Sequence, residues 1–245
     1  MQVQQNKSST SDKLDFLSAH PIFNALGPDL VKRLSAYAKP KAIRRGTLLF
    51  SKGDPGTSLF AIRKGTVRIS SPTKQGKSAV LNLIYEGEIL GEIALLDGGP
   101  RTADATAVTD CELMVIDRRD FLPLVQSHAD VAIKLIELLC ARLRRTSEQV
   151  EDVLFMDLPS RLARTLLRLA QGSNGDANGR LAITQLELGQ VIGMSRESTN
   201  KQLREWAQRK WIRLSRGEVL LLAPDALSQI AGELNPDRAL PRAKR

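Results

Sequence analysis

The chain has 245 residues, 42% of them hydrophobic, with 36 Lys and Arg against 27 Asp and Glu for a net charge of +9. That is length for about two domains at the usual ~100–200 residues each, and its positive balance favours a polyanionic partner. Two cysteines and two histidines exclude a disulfide framework and an all-cysteine iron–sulfur site, which needs about four thiolates. Cys111 and Cys140 lie in apolar stretches and read as small core residues. His20 and His128 have no co-ligand nearby, so neither haem nor zinc is expected. No stretch approaches the ~18 apolar residues of a membrane span. Met1 to Ser11 is polar and Gln/Ser-rich rather than a signal peptide. A soluble, cytoplasmic protein is expected, with a disordered tail over residues 1–14.

From Ser18 to Ala38 the pattern is helical, with Pro28 where a first turn tolerates it and Leu30, Leu34 and Tyr37 on one face. From Lys41 to Asp117 short apolar runs (Thr47–Phe50, Leu59–Ile62, Thr66–Ile69, Ala79–Tyr85, Leu113–Ile116) alternate with glycine-bearing turns. Many short strands with regular glycine punctuation indicate an antiparallel β-roll, jelly-roll-like and able to enclose a pocket.

One insertion breaks this β rhythm, from Glu88 to Ala103. Gly91-Glu92-Ile93-Ala94 reads as the start of a very short helix, and Gly98-Gly99-Pro100 as a turn leading to Arg101. Backbone N–H groups at a helix start together with one guanidinium would cradle a phosphate, with Glu92 placed to accept from sugar hydroxyls. A β-roll loop carrying a surface Arg–Glu pair fits the same spacing.

A long helix is expected from Asp130 to Asp157. Ala132, Ile136, Leu139, Leu143, Thr146, Val150 and Val153 fall at alternating four- and three-residue steps. That is an apolar seam sustained for about three heptads, consistent with a parallel two-stranded coil. An intramolecular core helix is the competing reading. Thr146, with Ser147 beside it, interrupts the seam. Such a polar slot either fixes register or hydrogen-bonds something lodged against the helix.

Pro159-Ser160 marks a break before an amphipathic helix over Arg161–Gln171, and Gly172–Gly179 is a polar loop. Thr184 and Glu187 have the spacing of a capping box, so a helix should start at Thr184. Two short helices broken at Gly193 follow, the second N-capped by Ser195 and opening with Arg196 and Glu197. A guanidinium and a carboxylate in the first turn, with Asn200, Lys201 and Arg204 one turn on, suit base edges in a major groove. Trp211-Ile-Arg-Leu and Val219-Leu-Leu-Leu bracket Ser215-Arg-Gly-Glu218 as a strand–turn–strand wing. Arg196 to Arg216 holds seven Arg/Lys against two Glu, the footprint expected for a phosphate backbone. Arg204 and Arg209, further along, read as backbone contacts. Pro224-Asp225 begins a last short helix. The fold class is α+β: an N-terminal β-roll, a long helix and a C-terminal winged helix-turn-helix.

Gly91-Glu92-Ile-Ala-Leu with Arg101-Thr102-Ala103 resembles the phosphate-binding cassette of cyclic-nucleotide-binding domains. Arg144-Arg-Thr-Ser-Glu-Gln-Val150 with Phe155-Met-Asp-Leu-Pro-Ser-Arg161 resembles the dimer helix and hinge of the cAMP receptor protein / catabolite activator protein (CRP/FNR) family, and Ser195-Arg-Glu-Ser-Thr-Asn-Lys201 its recognition helix. The likeness covers about Phe16 to Ile230. It implies five segments: a 1–14 tail, a cyclic-nucleotide-binding β-roll over 15–129, a dimerisation helix over 130–158, a winged helix-turn-helix over 159–235 and a basic tail over 236–245.

The same resemblance implies that Arg101 neutralises a cyclic phosphate with help from Thr102 and the backbone near Gly91, and that Glu92 accepts the ribose 2′-hydroxyl. Thr146 and Ser147 would meet the purine at the dimer seam. Arg196 would read a guanine and Glu197 a cytosine amino group, while Thr184, Ser195 and Ser198 match phosphate-binding positions. Asn200 and Lys201 join this surface, Lys201 standing where the family prototype has arginine, so that a bidentate contact becomes a point charge. Leu90 replaces the usual aromatic before the Gly-Glu pair. The implied protein is no enzyme but a homodimeric transcription regulator on a palindromic double-stranded operator, with RNA polymerase as a further partner. It needs no cofactor, and its effector would be cAMP. Thr102 also occurs in cGMP-binding domains, which leaves cGMP open. A same-fold regulator answering to another ligand or none, and a regulatory subunit of an enzyme or channel, are the alternatives. The ligand set argues against the first and the recognition helix against the second.

Overall fold

The computed structural model describes residues 2–72, 78–171 and 179–232, which divide into a unit over 1–145 and a unit over 146–245. The first begins with helix α1 (Gln2–Ala19), a short 3-10 turn (Asn24–Leu26) and α2 (Pro28–Tyr37). Eight strands follow: β1 (Lys39–Ile43), β2 (Leu48–Phe50), β3 (Ser58–Lys64), β4 (Val67–Pro72), β5 (Ser78–Ile84), β6 (Ile89–Leu90), β7 (Asp104–Ala107) and β8 (Cys111–Asp117). They pair antiparallel in two four-stranded sheets, ordered β1-β8-β3-β6 and β2-β7-β4-β5. Helix α3 (Glu92–Asp97) interrupts the strands, and α4 (Arg118–Ser127) and α5 (Ala129–Phe155) follow them.

Strand β3 is buried on both faces, which explains its unbroken apolar run. Phe60 and Ile62 join Ile43, Val67, Ile84, Leu90 and Leu113 in one cluster. Leu59 and Ala61 turn the other way, to Leu17, Phe23, Leu34, Phe121, Val131 and Leu135 from the helices. Alternate residues serve two cores because successive side chains of a strand point to opposite faces.

From Gln2 onward the expected tail over residues 1–14 is instead part of α1. Composition hid this because the tie lies far along the chain: Asp12 accepts two bonds from the Arg63 guanidinium on β3, and Leu14 packs against the helical core. The α2 face differs too. Val31, Leu34 and Ser35 are its buried residues, while Tyr37 is exposed. Cys111 is buried as expected, but Cys140 is exposed on α5.

The second unit holds the end of α5, α6 (Leu158–Gln171), β9 (Arg180–Leu181), α7 (Gln185–Val191), α8 (Arg196–Gln208), β10 (Ile212–Ser215), β11 (Glu218–Leu221) and α9 (Pro224–Ile230). The break before α6 falls at Met156-Asp157. Asp157 Oδ1 accepts the Ser160 N–H at 2.9 Å and so caps α6. The Ser160 bonds hold its carboxyl below the usual carboxylate range. Arg164 on α6 pairs with the buried Asp152 of α5 at 2.5 Å and donates to the Ala231 carbonyl at 3.4 Å. β10 and β11 form the wing about Arg216-Gly217, and β9, too short to signal itself in sequence, adds a third strand. The loop over 172–178 and the tail over 233–245 lie outside the described residues.

The two sides of α5 differ. Val131 and Leu135 are buried in the helical core. Ile136, Leu143, Val150 and Val153 are exposed, Leu143 by 68%. The intramolecular-core reading therefore fails for most of the heptad positions.

Candidate ligand cassette and DNA-reading helix

Gly91 ends β6 in the left-handed region, φ 83°, and N-caps α3. A Cβ there would stand 2.5 Å from Arg101 Nη1, so both conformation and space demand glycine. Across this gap Arg101 Nη1 donates to the Gly91 carbonyl at 3.0 Å and Nη2 to the Ser58 carbonyl at 2.7 Å. The guanidinium carbon lies 4.3 Å from the centre of the Phe50 ring.

Arg101 is only 4% exposed. Among the described residues its Nε is enclosed without a hydrogen-bond partner. Burial pulls its pKa down, while Glu92 and Asp54 pull it up. An arginine stays charged in a protein regardless, and carbonyl oxygens bond a cation without neutralising it. A buried cation of this kind suits an anionic ligand. With both side chains buried, the reading as a surface Arg–Glu pair does not hold.

Glu92 is 3% exposed and forms an ion pair with Arg142 of α5. Arg142 Nη2 also donates to the Ile89 carbonyl at 2.5 Å. Fifty residues separate Arg142 from Glu92, so periodicity along α5 gave no sign of this role. The pair fixes the carboxylate while leaving lone pairs for a ligand hydroxyl. Gly91, Glu92 and Arg101 thus converge as expected. Thr102 is exposed beside Arg101. Thr146 and Ser147 are exposed on α5, in the part belonging to the second unit. No group of three or more His, Cys, Asp or Glu suited to a metal occurs among the described residues.

In the second unit, Thr184 accepts the Glu187 N–H at 3.2 Å and Glu187 Oε2 accepts the Thr184 N–H at 2.8 Å, a complete capping box. The Thr184 hydroxyl donates to Glu187 as well, so its hydrogen is spent on the cap. Gly193, φ 70°, turns the chain between α7 and α8. Ser195 caps α8 by accepting the Ser198 N–H at 3.1 Å. Thr199, Leu203 and Trp206 are the buried side of α8. Arg196, Glu197, Lys201 and Arg204 are exposed, and Glu197, Asn200, Lys201, Arg204, Glu205 and Gln208 line a shallow groove along the helix. Arg209, expected at the DNA backbone, pairs with Glu205 at 2.7 Å and lies 5.0 Å over the Trp211 ring.

Residues 40–128 match the cyclic nucleotide-binding domain and residues 160–230 the Crp-like helix-turn-helix domain. The chain is 33% identical over 221 residues to the CRP-like cAMP-activated global transcriptional regulator of Mycobacterium tuberculosis strain H37Rv, covering 89% of this chain and 99% of that one. It is 32% identical over 215 residues to the cyclic AMP receptor protein of Thermus thermophilus, covering 88% and 98%. Among solved structures it resembles the global regulator CLP of Xanthomonas campestris, described as c-di-GMP responsive, with TM-score 0.66 at 25% identity over 79% of this chain and 98% of that one.

A cyclic-nucleotide-binding β-roll followed by a DNA-binding winged helix-turn-helix defines a class of ligand-responsive transcription regulators, not enzymes. The chain belongs to the CRP/FNR family.

Proposed function

We propose that the chain acts as a homodimer whose affinity for a near-palindromic operator is raised by cAMP. The observation that carries the reading is Arg101, a buried guanidinium held only by uncharged oxygens, the Gly91 and Ser58 carbonyls and the Ser58 hydroxyl, beside a carboxylate, Glu92, already aligned by Arg142. A cyclic phosphate would neutralise the first, and the adjacent ribose hydroxyl would donate to the second. The exposed apolar stripe on α5 supports pairing with a second copy, in which Thr146 and Ser147 would face the purine. On DNA, Arg196 reads a guanine and Glu197 a cytosine amino group, with Lys201 beside them and Ser195 and Ser198 at the phosphates. Two recognition helices would enter successive major grooves, giving half-sites about one helical turn apart. RNA polymerase as a further partner rests on family membership alone.

Calorimetry with cAMP and with cGMP, followed by selection of bound duplexes with and without the nucleotide, tests this reading. Tighter binding of cGMP would reassign the effector. Binding of neither, with ligand-independent DNA binding, would overturn nucleotide control. Arg196→Ala should cost about 1–3 kcal/mol on the selected site and relax one guanine. A uniform loss on every sequence would make Arg196 a phosphate contact.

A further inference from the structure

The buried residues Thr199, Leu203 and Trp206 fix which way α8 faces. At about 100° per residue, Glu197, Lys201, Arg204 and Gln208 occupy the opposite side. Asn200 sits at its edge, one turn on from Arg196 and close to the same line. It is half-buried and helps to line the groove along the helix.

Two features set Asn200 apart from an ordinary solvated amide. Its Oδ1 is enclosed with no hydrogen-bond partner among the described residues, although buried amide oxygens are normally satisfied. Asparagine is also a weak helix former in a helix interior, and no bond from this side chain to a described residue repays that cost.

We propose that Asn200 reads an adenine in the major groove, near the guanine met by Arg196. The proposal rests on the DNA-reading role of α8 set out above. Adenine offers an N6 donor and an N7 acceptor, the complement of the carboxamide Oδ1 and Nδ2. Rotation about χ1 carries the whole carboxamide and would bring Oδ1 and Nδ2 together from the enclosed position to the groove. Arg196 and Asn200 are four residues apart, and side chains so spaced are about 5–6 Å apart on a helix surface. That spans one to two base steps at about 3.4 Å each. Glu197 and Lys201 repeat the spacing on the neighbouring line. The helix therefore presents two parallel pairs, a guanidinium with a carboxamide and a carboxylate with an ammonium.

The test is a binding selection from randomised duplexes using the full chain with cAMP, on the wild type, Asn200→Ala and Asn200→Asp. The wild type should select adenine close to the guanine that depends on Arg196. Asn200→Ala, a better helix former than asparagine, should lower that adenine preference roughly five- to hundredfold and leave the other positions intact. Asn200→Asp, an acceptor without a donor, should move the preference toward cytosine. Variants that return the wild-type preferences, with affinity lost equally on all sequences, would overturn the proposal. A wild type with no preference for the Arg196-dependent guanine would instead overturn base reading by α8 itself, so the two failures are distinct.

Discussion

Arg101→Gln should nearly abolish nucleotide binding while leaving the fold in place. The guanidinium is 4% exposed, and no carboxylate among the described residues lies within ion-pair distance of it. A phosphate seated there would meet its compensating charge in a desolvated setting, and removing one partner of such a pair costs on the order of 2–5 kcal/mol. That corresponds to roughly 30- to 5000-fold weaker binding. The ligand-free protein should respond differently. Glutamine deprives the Gly91 and Ser58 carbonyls of strong donors but also removes a buried charge, so the two effects oppose. Calorimetry with cAMP reads the affinity, and melting with and without nucleotide reads the linkage. At a ligand concentration a hundred times Kd the wild type should gain about 2.7 kcal/mol and the variant almost nothing. Arg101→Lys, keeping a charge without the fork, should fall between them. An Arg101→Gln protein that bound cAMP as tightly as the wild type would refute the cradle.

Three further outcomes are expected. His20 is buried between Phe16 and Phe23, and burial lowers its pKa from 6.5 to about 4. The unfolded chain takes up its proton first, so stability should be full above the ordinary value and fall by up to about 3 kcal/mol as pH drops toward 4. Urea denaturation across this range should show a flatter profile for His20→Phe, and an unchanged profile would count against the assignment. Leu143→Asp places charges face to face in the proposed α5 seam and should give monomers in sedimentation with the β-roll still folded. A persistent dimer would place the interface elsewhere. Arg204→Ala should reduce the salt slope of DNA binding by about 0.9 per lost phosphate contact. Arg209→Ala should change it less, because Arg209 is already engaged by Glu205 and Trp211; equal effects would put both on the backbone.

What was legible in the sequence was local. The Thr184–Glu187 box, the Ser195 cap and the wing turn at Arg216-Gly217 all act within a few residues, and each stands where spacing placed it. Most apolar runs of the β-roll became strands for the same reason. Strand β1 escaped because Lys39-Pro-Lys-Ala-Ile43 has only Ile43 buried and owes its extension to antiparallel pairing with β8. Helix α1 escaped because its tie to Arg63 spans 51 residues. In the candidate site, Gly91, Glu92 and Arg101 were readable as one insertion in a β rhythm, whereas Arg142 and Ser58 were not. Their parts in it exist only once distant strands and a helix have closed around the cassette.

Gly91 makes the proposed anion site fragile in a particular way. Every possible replacement adds a Cβ to a backbone with φ 83° and presses it against the guanidinium. The left-handed conformation alone costs a non-glycine residue about 1–2 kcal/mol, small enough for the β-roll to survive. One missense change could therefore silence the receptor while sparing the strands, α5 and the recognition helix. In a lineage where ligand control became a burden, this position offers a one-step route to a regulator that still finds its operator but no longer listens.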